Sequence, residues 1–484
     1  MKKKTTWMLV FTMLSFSAFA QMSNFNLSDY KLPELERRTL EAGFNLNAQN
    51  NFRRFTYDPE SQSDNAFNTN GSLRYTYFLN SEQWQRSQVI EGSLFYTFIN
   101  TKVEENLMDK NYRILGDFSV LHENRLYYDA SRFVEFNLLA NYFGGRYYSY
   151  SNPGGTESED LNFSHSLRLS PSIKAGIGRI EPVQDARQAV YILQELADIA
   201  RVSPEKSTEE ILEFARLISE IKNERFFDSR LKRIYELQML DSFLLAQNYL
   251  LEYDAAYFAT MADYWEYGDS PQRLSGQRVS LAFIPGYFYS RNAYNNTLPA
   301  EFEEIYKRNA IELYGGVEYI REKPINLTWQ NSIDAALYYG WTQQKSKYEN
   351  DDIWGTTEST YRQPLLQAGF AQRIGYYPST RTSVVAGYDL QYARFFDVTD
   401  ESNEIQGLEG NGFRVGGNFT LNYYFSPQLR FNVNWQLSYL WQDSDDFVNM
   451  DFFFRPGQSE LIPDPFLKSR IYNQFSAGLI YSIF

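Results

Sequence analysis

Apolar and polar residues alternate with a period of two along most of this chain, and the alternation stops in one long stretch, residues 181–267. In residues 428–442 the odd positions are apolar or aromatic and most even positions are polar. The odd set is Leu429, Phe431, Val433, Trp435, Leu437, Tyr439 and Trp441, and the even set begins with Arg430, Asn432, Asn434, Gln436 and Ser438. Because successive side chains of a strand point to opposite sides, this period predicts β-strands with one apolar and one polar face.

Fourteen segments carry this alternation, six before residue 181 and eight after residue 267. They are residues 40–57, 69–79, 88–102, 111–122, 132–150, 161–176, 276–293, 307–321, 325–344, 360–376, 381–396, 412–425, 428–442 and 470–484. A soluble sheet also alternates, but its strands usually number ~5–6 residues, whereas a tilted membrane strand needs ~9–11 residues within the hydrocarbon. The long segments therefore predict an all-β transmembrane antiparallel barrel of about 14 strands.

The connections between these segments alternate in length. Tight turns follow the second, eighth, tenth and twelfth segments, and longer polar loops such as 346–359, 397–411 and 443–469 follow odd-numbered ones. Short periplasmic turns and long external loops are typical of outer-membrane barrels. With these connections and its terminal Phe484, the chain resembles the outer-membrane β-barrel proteins of Gram-negative bacteria, in particular porins.

This resemblance implies several properties beyond the fold. It places the protein in the cell outer membrane, in contact with outer-membrane lipid. It also implies that the barrel-insertion machinery recognises the C-terminal Phe484 during assembly. The resemblance is architectural and supplies no catalytic residues and no cofactor.

Residues 181–267 have a helical period instead. Pro182 and Asp185 suit the first turn of a helix, where no backbone partner is lost and a negative charge is stabilised. Apolar stripes at helical spacing then predict three helices, with a short fourth one possible at 254–265. Because this block follows an even-numbered strand, we expect an α-helical periplasmic insertion between strands 6 and 7. Three roles are open: a cap or brace, a docking site for a periplasmic protein, and a gate or plug.

The chain divides into five parts on this interpretation. Residues 1–20 form a signal peptide, residues 21–39 an N-terminal periplasmic lead-in, 40–180 barrel strands 1–6, 181–267 the helical insertion, and 268–484 barrel strands 7–14. The signal peptide is predicted from three lysines at 2–4, an apolar run at 7–16 and small residues before position 21. The apolar run is shorter than the ~20 residues of a spanning helix.

The composition of the chain argues against two classes of function, nucleic-acid binding and thiol chemistry. The formal net charge is −14, and removal of the signal peptide makes it more negative by three. Nucleic acid is therefore not an expected partner, because its phosphates require a basic surface. The chain has no cysteine, which excludes disulfides and thiolate chemistry.

The sequence offers little for catalysis. The two histidines are His122, interpreted as part of a strand end, and His165, interpreted as facing lipid in phase with Phe163 and Leu167. Outer-membrane phospholipases pair such a histidine with a serine two residues later, and here that position is Leu167. No metal-ligand cluster or nucleotide fingerprint is evident. We therefore predict a protein that is not an enzyme and carries neither cofactor nor metal.

The phase of each strand also predicts which charged residues face the lumen. The candidates are Arg53, Arg74, Asp117, Arg168, Lys174, Glu312, Glu318, Asp334, Asp389, Arg414 and Arg430. Glu91 and Glu135 have the same inward phase, so the two signs nearly balance. The charges either give a weak cation preference or pair across the lumen to brace it. We expect a porin-like channel for small polar solutes; the alternative is a non-conducting scaffold or assembly factor whose helices bind a periplasmic partner.

Overall fold

A computed structural model provides the fold. It describes residues 25–54, 61–103, 106–152, 157–224, 229–267, 273–298, 301–350, 355–397, 399–400, 409–426, 429–442, 448–449, 462–463 and 469–481. Fourteen long strands form one antiparallel sheet in which each strand pairs with its neighbours in the chain. They are β1 (Leu35–Arg54), β2 (Ser61–Asn80), β3 (Trp84–Val103), β4 (Asn106–Tyr127), β5 (Arg132–Ser151), β6 (Ser158–Pro182), β7 (Leu274–Leu298), β8 (Phe302–Pro324), β9 (Trp329–Asn350), β10 (Gly355–Ser379), β11 (Thr382–Phe395), β12 (Gly410–Tyr424), β13 (Leu429–Gln442) and β14 (Ser469–Tyr481).

The predicted strand number and antiparallel order are confirmed. Three two-residue strands are also present: Thr399–Asp400 pairs with β10, and Val448–Asn449 pairs with Ile462–Pro463 as a separate ribbon. Within the described residues β1 and β14 pair on one side only, so the sheet is not closed.

Several strand bounds were predicted wrongly, most often by making the strand too short. β1 begins at Leu35 rather than residue 40, and β2 begins at Ser61 rather than residue 69. β9 likewise extends to Asn350 and β10 begins at Gly355, inside the predicted loop 346–359. Most of these end segments are polar on both faces, so they lack the alternation that identifies a strand, yet their backbones pair in register.

The alternation separates the two faces of the sheet. We call the apolar one the outer face and the other the polar face. The outer face exposes large apolar side chains from β1 to β14, among them Leu40 at 68%, Leu281 at 66% and Phe475 at 66%. Monomeric soluble proteins seldom expose so extensive an apolar surface. Such a surface indicates contact with an apolar environment.

Aromatic rings lie on the outer face at two levels. Near the short turns, Trp329 of β9 and Tyr376 of β10 have ring centroids 4.5 Å apart. Nearer the long loops, Tyr112 of β4 stacks on Tyr148 of β5 at 4.7 Å. Aromatic residues at both edges of an apolar band are typical of membrane barrels, because their rings suit the lipid–water interface.

Beyond this band, the outer face of β8–β10 is charged. Lys307 pairs with Glu349 at 3.1 Å, Lys347 pairs with the same carboxylate at 2.5 Å, and Lys345 pairs with Glu358 at 3.1 Å. These residues lie between the apolar band and the long-loop end of each strand. This end of the sheet therefore suits water.

Four helices follow β6 and precede β7: α1 (Gln184–Asp198), α2 (Thr208–Asn223), α3 (Ser229–Ala246) and α4 (Ala255–Tyr267). We call residues 183–267 the helical unit. A capping box starts α2, in which Ser207 and Glu210 satisfy each other's backbone N–H groups. The buried core includes Ile192, Leu193, Leu196, Phe214, Ile218, Leu240 and Met261. Among the described residues, no helix is long and apolar enough to cross a membrane.

The chain passes between sheet and helical unit at a pair of glycines. Gly178 of β6 has φ +107° and Gly276 of β7 has φ +127°, both in the region that L side chains rarely adopt. A Cβ at Gly178 would lie 2.0 Å from the carbonyl oxygen of Gln277, and one at Gly276 would lie 2.0 Å from that of Arg179. Both positions therefore require glycine.

We predict that Gly178→Ala lowers the free energy of unfolding by about 1–3 kcal/mol, because both strain and a backbone clash oppose the new Cβ. The matched control is Gly71→Ala on β2, where a Cβ has no neighbouring atom within 4 Å. Urea titration of the folded protein in detergent, followed by tryptophan fluorescence, measures both. An equal effect of the two substitutions would contradict the assignment of strain to Gly178.

Candidate functional site

The pairing register places ten of the eleven predicted lumen residues on the polar face. For example, Glu41 of β1 opposes Arg74, which opposes Glu91 of β3, and Gln391 of β11 opposes Arg414 of β12. The side chain of Arg53 lies outside the described residues. The other candidates differ in environment, and they fall into a paired group and a solvated group.

The paired group joins neighbouring or next-neighbouring strands. Arg74 binds Glu91 at 2.9 Å, and Arg168 of β6 lies 3.9 Å from Glu312 of β8. Lys174 of β6 donates to both carboxylate oxygens of Glu318 of β8 at 2.8 Å. Lys174 and Glu318 are only 5% and 1% exposed, so this pair is almost fully removed from solvent.

Glu135 of β5 extends the Lys174–Glu318 pair into a buried network. Its carboxylate accepts from Arg125 Nε at 2.6 Å and lies 3.8 Å from Lys174 and 3.7 Å from Arg278. At the other end, the Tyr338 hydroxyl of β9 donates to Glu318. The network therefore crosses from β4 to β9. A buried charge of this kind is tolerated only when it is paired and hydrogen-bonded.

Small residues make room for these long side chains. Gly316 and Gly340 lie beside the Tyr338 and Tyr314 rings, and a Cβ at Gly316 would lie 2.3 Å from Tyr338 Cδ1. Ser280 and Ala282 of β7 lie between Lys174 and Glu318, and both are buried. The polar face is thus shaped by alternation of large charged and small residues on adjacent strands.

Arg125, Arg278 and Tyr338 were not among the sequence candidates. Arg125 lies beyond the predicted span 111–122, because the apolar alternation weakens before β4 ends at Tyr127. Arg278 is in phase with Ser280 and could have been selected on that ground. Glu135 had the inward phase, and its register with Lys174 agrees with that interpretation.

An apolar cluster fills the polar face next to the network. It consists of Ala282, Ile284, Tyr314, Ala336, Tyr338, Leu365, Ala393 and Phe395 on β7–β11. Tyr338 and Phe395 are each 1% exposed. In this part of the polar face, apolar side chains are packed together beside the charged network.

The solvated group is less buried than the network. Asp117 accepts from the Ser93 hydroxyl, and Asp389 accepts from the Gln391 amide at 3.2 Å. Asp334 and Arg414 are partly buried, and Arg430 is exposed. These residues add fixed charge to the polar face.

The helical unit contacts the short-turn end of the sheet over several strands. The Tyr191 hydroxyl of α1 donates to the Tyr377 carbonyl oxygen of β10 at 2.9 Å. Asp263 of α4 pairs with Arg381 in the β10–β11 turn, and the rings of Tyr267 and Tyr424 of β12 are 5.6 Å apart. The unit therefore reaches from β6–β7 to β12 along this end.

A buried arginine holds the β8–β9 turn against the helical unit. Arg273 is 0% exposed and donates to the Gln330 side chain at 2.8 Å and to the carbonyl oxygens of Asn326, Leu327 and Trp329. Burial, and then the nearby Arg187, lower the pKa of Arg273 to about 10. It therefore stays charged at neutral pH, with the Tyr377 ring 5.0 Å from its guanidinium carbon.

The N-terminal segment before β1 completes the helical core. Leu27 and Tyr30 are buried among the helices, and the Tyr30 hydroxyl lies 2.6 Å from Ser219 Oγ of α2. Ser219 in turn binds Asp185, which pairs with Lys222 at 2.7 Å. Burial raises the pKa of the Tyr30 hydroxyl well above its usual range. The predicted polar lead-in thus contains anchors that the sequence pattern did not reveal.

A cavity of about 690 Å³ lies between this segment and the turns of β2–β3 and β4–β5. Its charged wall includes Arg179 and Glu181, which pair at 2.5 Å. Arg179 also donates to the carbonyl oxygens of Ser81 and Glu82. The polar groups of this wall serve to hold the segment in place.

The two histidines lie on separate strands, β4 and β6. His165 lies on the outer face, 5.6 Å from the Tyr289 ring, and Ser164 and Ser166 are on the polar face. His122 lies within β4 opposite Gln88 rather than at the strand end that was predicted. In the described ranges no group of three potential ligands could hold a metal ion.

Comparison with known proteins adds no family. The chain matches no protein-family model and no curated protein.

Proposed function

We propose that this protein is an outer-membrane β-barrel that conducts small polar solutes, with the helical unit restricting its periplasmic mouth. The observation that carries the proposal is the division of the sheet into an exposed apolar face on all fourteen strands and a face that bears ten of the eleven charged candidates. The outer face is suited to contact with lipid, and the polar face is suited to contact with water.

The proposal requires that β1 and β14 pair and close the sheet. In hydrocarbon an unpaired strand edge is costly, because no water is present to satisfy its N–H and C=O groups. An even strand number makes the two edges antiparallel. Leu40 and Phe44 of β1 share the outer face with Phe475 and Leu479 of β14, so closure continues the apolar surface.

Introduced cysteines test closure without background, since the chain has none of its own. Asn45→Cys on the polar face of β1 is combined in turn with cysteine at Gln474, Ser476 and Gly478 of β14. We expect one of these pairs to crosslink in outer-membrane fractions, because disulfides form only when the Cα atoms approach within ~4.4–6.8 Å.

Two controls make this test decisive. Cysteines at Ser72 and Ser93, which oppose each other on β2 and β3, must crosslink. Asn45→Cys with Phe475→Cys must not, because the two side chains belong to opposite faces. Crosslinking of the Ser72–Ser93 pair alone would overturn closure through β1 and β14.

The lining of the polar face supports small polar solutes as cargo. Paired charges of both signs favour water without strongly selecting either ion, and the apolar cluster around Tyr338 narrows the path. Liposome-swelling assays with neutral sugars of increasing size test this. Uptake should fall steeply with sugar size. No uptake by the full-length protein or by a variant without the helical unit would exclude a channel.

The second candidate is a scaffold that binds a periplasmic protein through the helical unit. It is favoured by one observation, the exposed apolar side chains of α3. This role is compatible with conduction, because the α3 surface and the polar face of the sheet involve different residues.

A further inference from the structure

One side of α3 carries apolar residues that the helical core does not use. Leu240 and Leu244 of this helix are buried, whereas Leu231, Ile234 and Leu245 are 52%, 48% and 49% exposed. Spacings of three, eleven and fourteen residues keep these three on one side of a helix with 3.6 residues per turn.

The exposed side continues into the corner between α3 and α4. Leu251 and Tyr253 are 64% and 56% exposed, and the Tyr253 ring packs against Phe258 with centroids 5.0 Å apart. Asp241 fixes this corner, because its carboxylate accepts from Tyr253 at 3.2 Å and from Tyr257 at 3.0 Å. We call Leu231, Ile234, Leu245, Leu251, Tyr253 and Phe258 the α3 ridge.

The surroundings of the ridge are acidic. Residues 183–267 contain sixteen Asp and Glu against nine Lys and Arg. Of the three basic side chains on α3, Lys232 lies 3.7 Å from Glu236, and Arg233 pairs with Glu266. Asp241 and Glu252 flank the corner, with Glu252 paired to Arg201 at 3.1 Å, and Glu213 of α2 lies 3.4 Å from Gln247 beyond the end of α3. A partner that fits must therefore bring positive charge.

We propose that the α3 ridge docks a basic amphipathic helix of a periplasmic protein. An apolar stripe on such a helix covers the ridge, and flanking Lys or Arg residues face the acidic rim, which is a recurrent mode of helix recognition. The net negative charge of the helical unit disfavours the two alternative binding partners. A second copy of the unit or an anionic lipid surface would be repelled. This inference rests on the proposed periplasmic location of the helical unit, but it does not depend on whether the barrel conducts.

A designed pair of peptides tests this proposal on the full-length protein in zwitterionic nanodiscs. Both peptides are fluorescein-labelled helices with leucine at heptad a and d positions; one carries lysine at the polar positions and the other carries glutamate. Fluorescence anisotropy should show saturable binding of the lysine peptide. The glutamate peptide should bind at least tenfold more weakly.

A matched pair of variants locates the binding. Leu245→Ser with Leu251→Ser should weaken binding of the lysine peptide at least tenfold. Ile325→Ser should leave it unchanged, because Ile325 is similarly exposed, at 57%, but lies in the β8–β9 turn. Far-ultraviolet circular dichroism checks that the helices persist.

Several outcomes would overturn the proposal. These are no binding of the lysine peptide, equal binding of both peptides, equal binding to empty nanodiscs, or equal binding to the wild type and the double variant. Vesicles with anionic lipid provide a further experiment. If the protein binds these vesicles, and the Leu245→Ser with Leu251→Ser variant does not, the α3 ridge binds lipid rather than a protein helix.

Discussion

Removal of the helical unit is expected to raise single-channel conductance several-fold, because the unit obstructs the mouth of the proposed barrel while the narrowing around Tyr338 remains. The unit contacts the turn end from β6–β7 to β12, through Tyr191, Asp263 and Tyr267. On our proposal these contacts hold it across the periplasmic opening.

The chain geometry allows a clean deletion. Pro182 opposes Leu274 in the β6–β7 ladder, and the Val183 N–H donates to the Arg273 carbonyl oxygen at 2.8 Å. A short Gly-Ser turn can therefore replace residues 184–272 while Arg273 keeps its contacts with the β8–β9 turn. Planar-bilayer recording at matched protein density measures the effect.

Asp263→Asn provides the graded control. It removes the ion pair with Arg381 but keeps the size of the side chain, so conductance should rise less than in the deletion. Heat-modifiable migration in gels verifies that each variant contains a folded barrel. Unchanged conductance of a folded deletion variant would refute a restricting role for the helices.

Lys174→Met is expected to lower the free energy of unfolding by about 3–5 kcal/mol, because it leaves the Glu318 carboxylate buried without its cation. Glu318 would retain the hydrogen bond from Tyr338, whereas Glu135 would keep Arg125 and Arg278. The loss should thus arise mainly at Glu318. Urea titration in lipid vesicles, followed by tryptophan fluorescence, provides the measurement.

Two further variants complete this experiment. Lys307→Met removes the same kind of side chain from a more exposed pair with Glu349 and should cost only about 0–1 kcal/mol. Lys174→Met with Glu318→Met should recover most of the stability, because no unpaired charge is then buried. A cost at Lys174 no larger than at Lys307 would show that the network does not stabilise the sheet.

The sequence predicts the sheet well because each strand presents one apolar and one polar face, which makes its residues alternate. The alternation is absent in residues 61–65 of β2, where both faces are polar and only backbone pairing defines the strand. The phase of Lys174 and Glu318 is readable from the sequence. Their partnership is not, because they lie on strands that are not hydrogen-bonded to each other.

In the helical unit, too, contacts between distant parts of the chain could not be predicted from the sequence. The stripes of α1 and α2 are visible in the sequence, since Ile192 and Leu196 of α1, and Phe214 and Ile218 of α2, recur at helical spacing. The burial of Leu27 and Tyr30 in that core depends on a contact about 190 residues away along the chain, between Tyr30 and Ser219. No local pattern encodes such a contact.

The charged outer face at the long-loop end of β8–β10 has a consequence for the depth of the sheet in a membrane. Lys307, Lys345 and Lys347 lie beyond the apolar band, on strands that remain paired as far as Asn350. On our proposal lipid covers only the apolar band, so these strands extend into the water outside it. Their ion pairs then limit how far the sheet can move along the membrane normal, because further insertion would bury charged side chains in hydrocarbon.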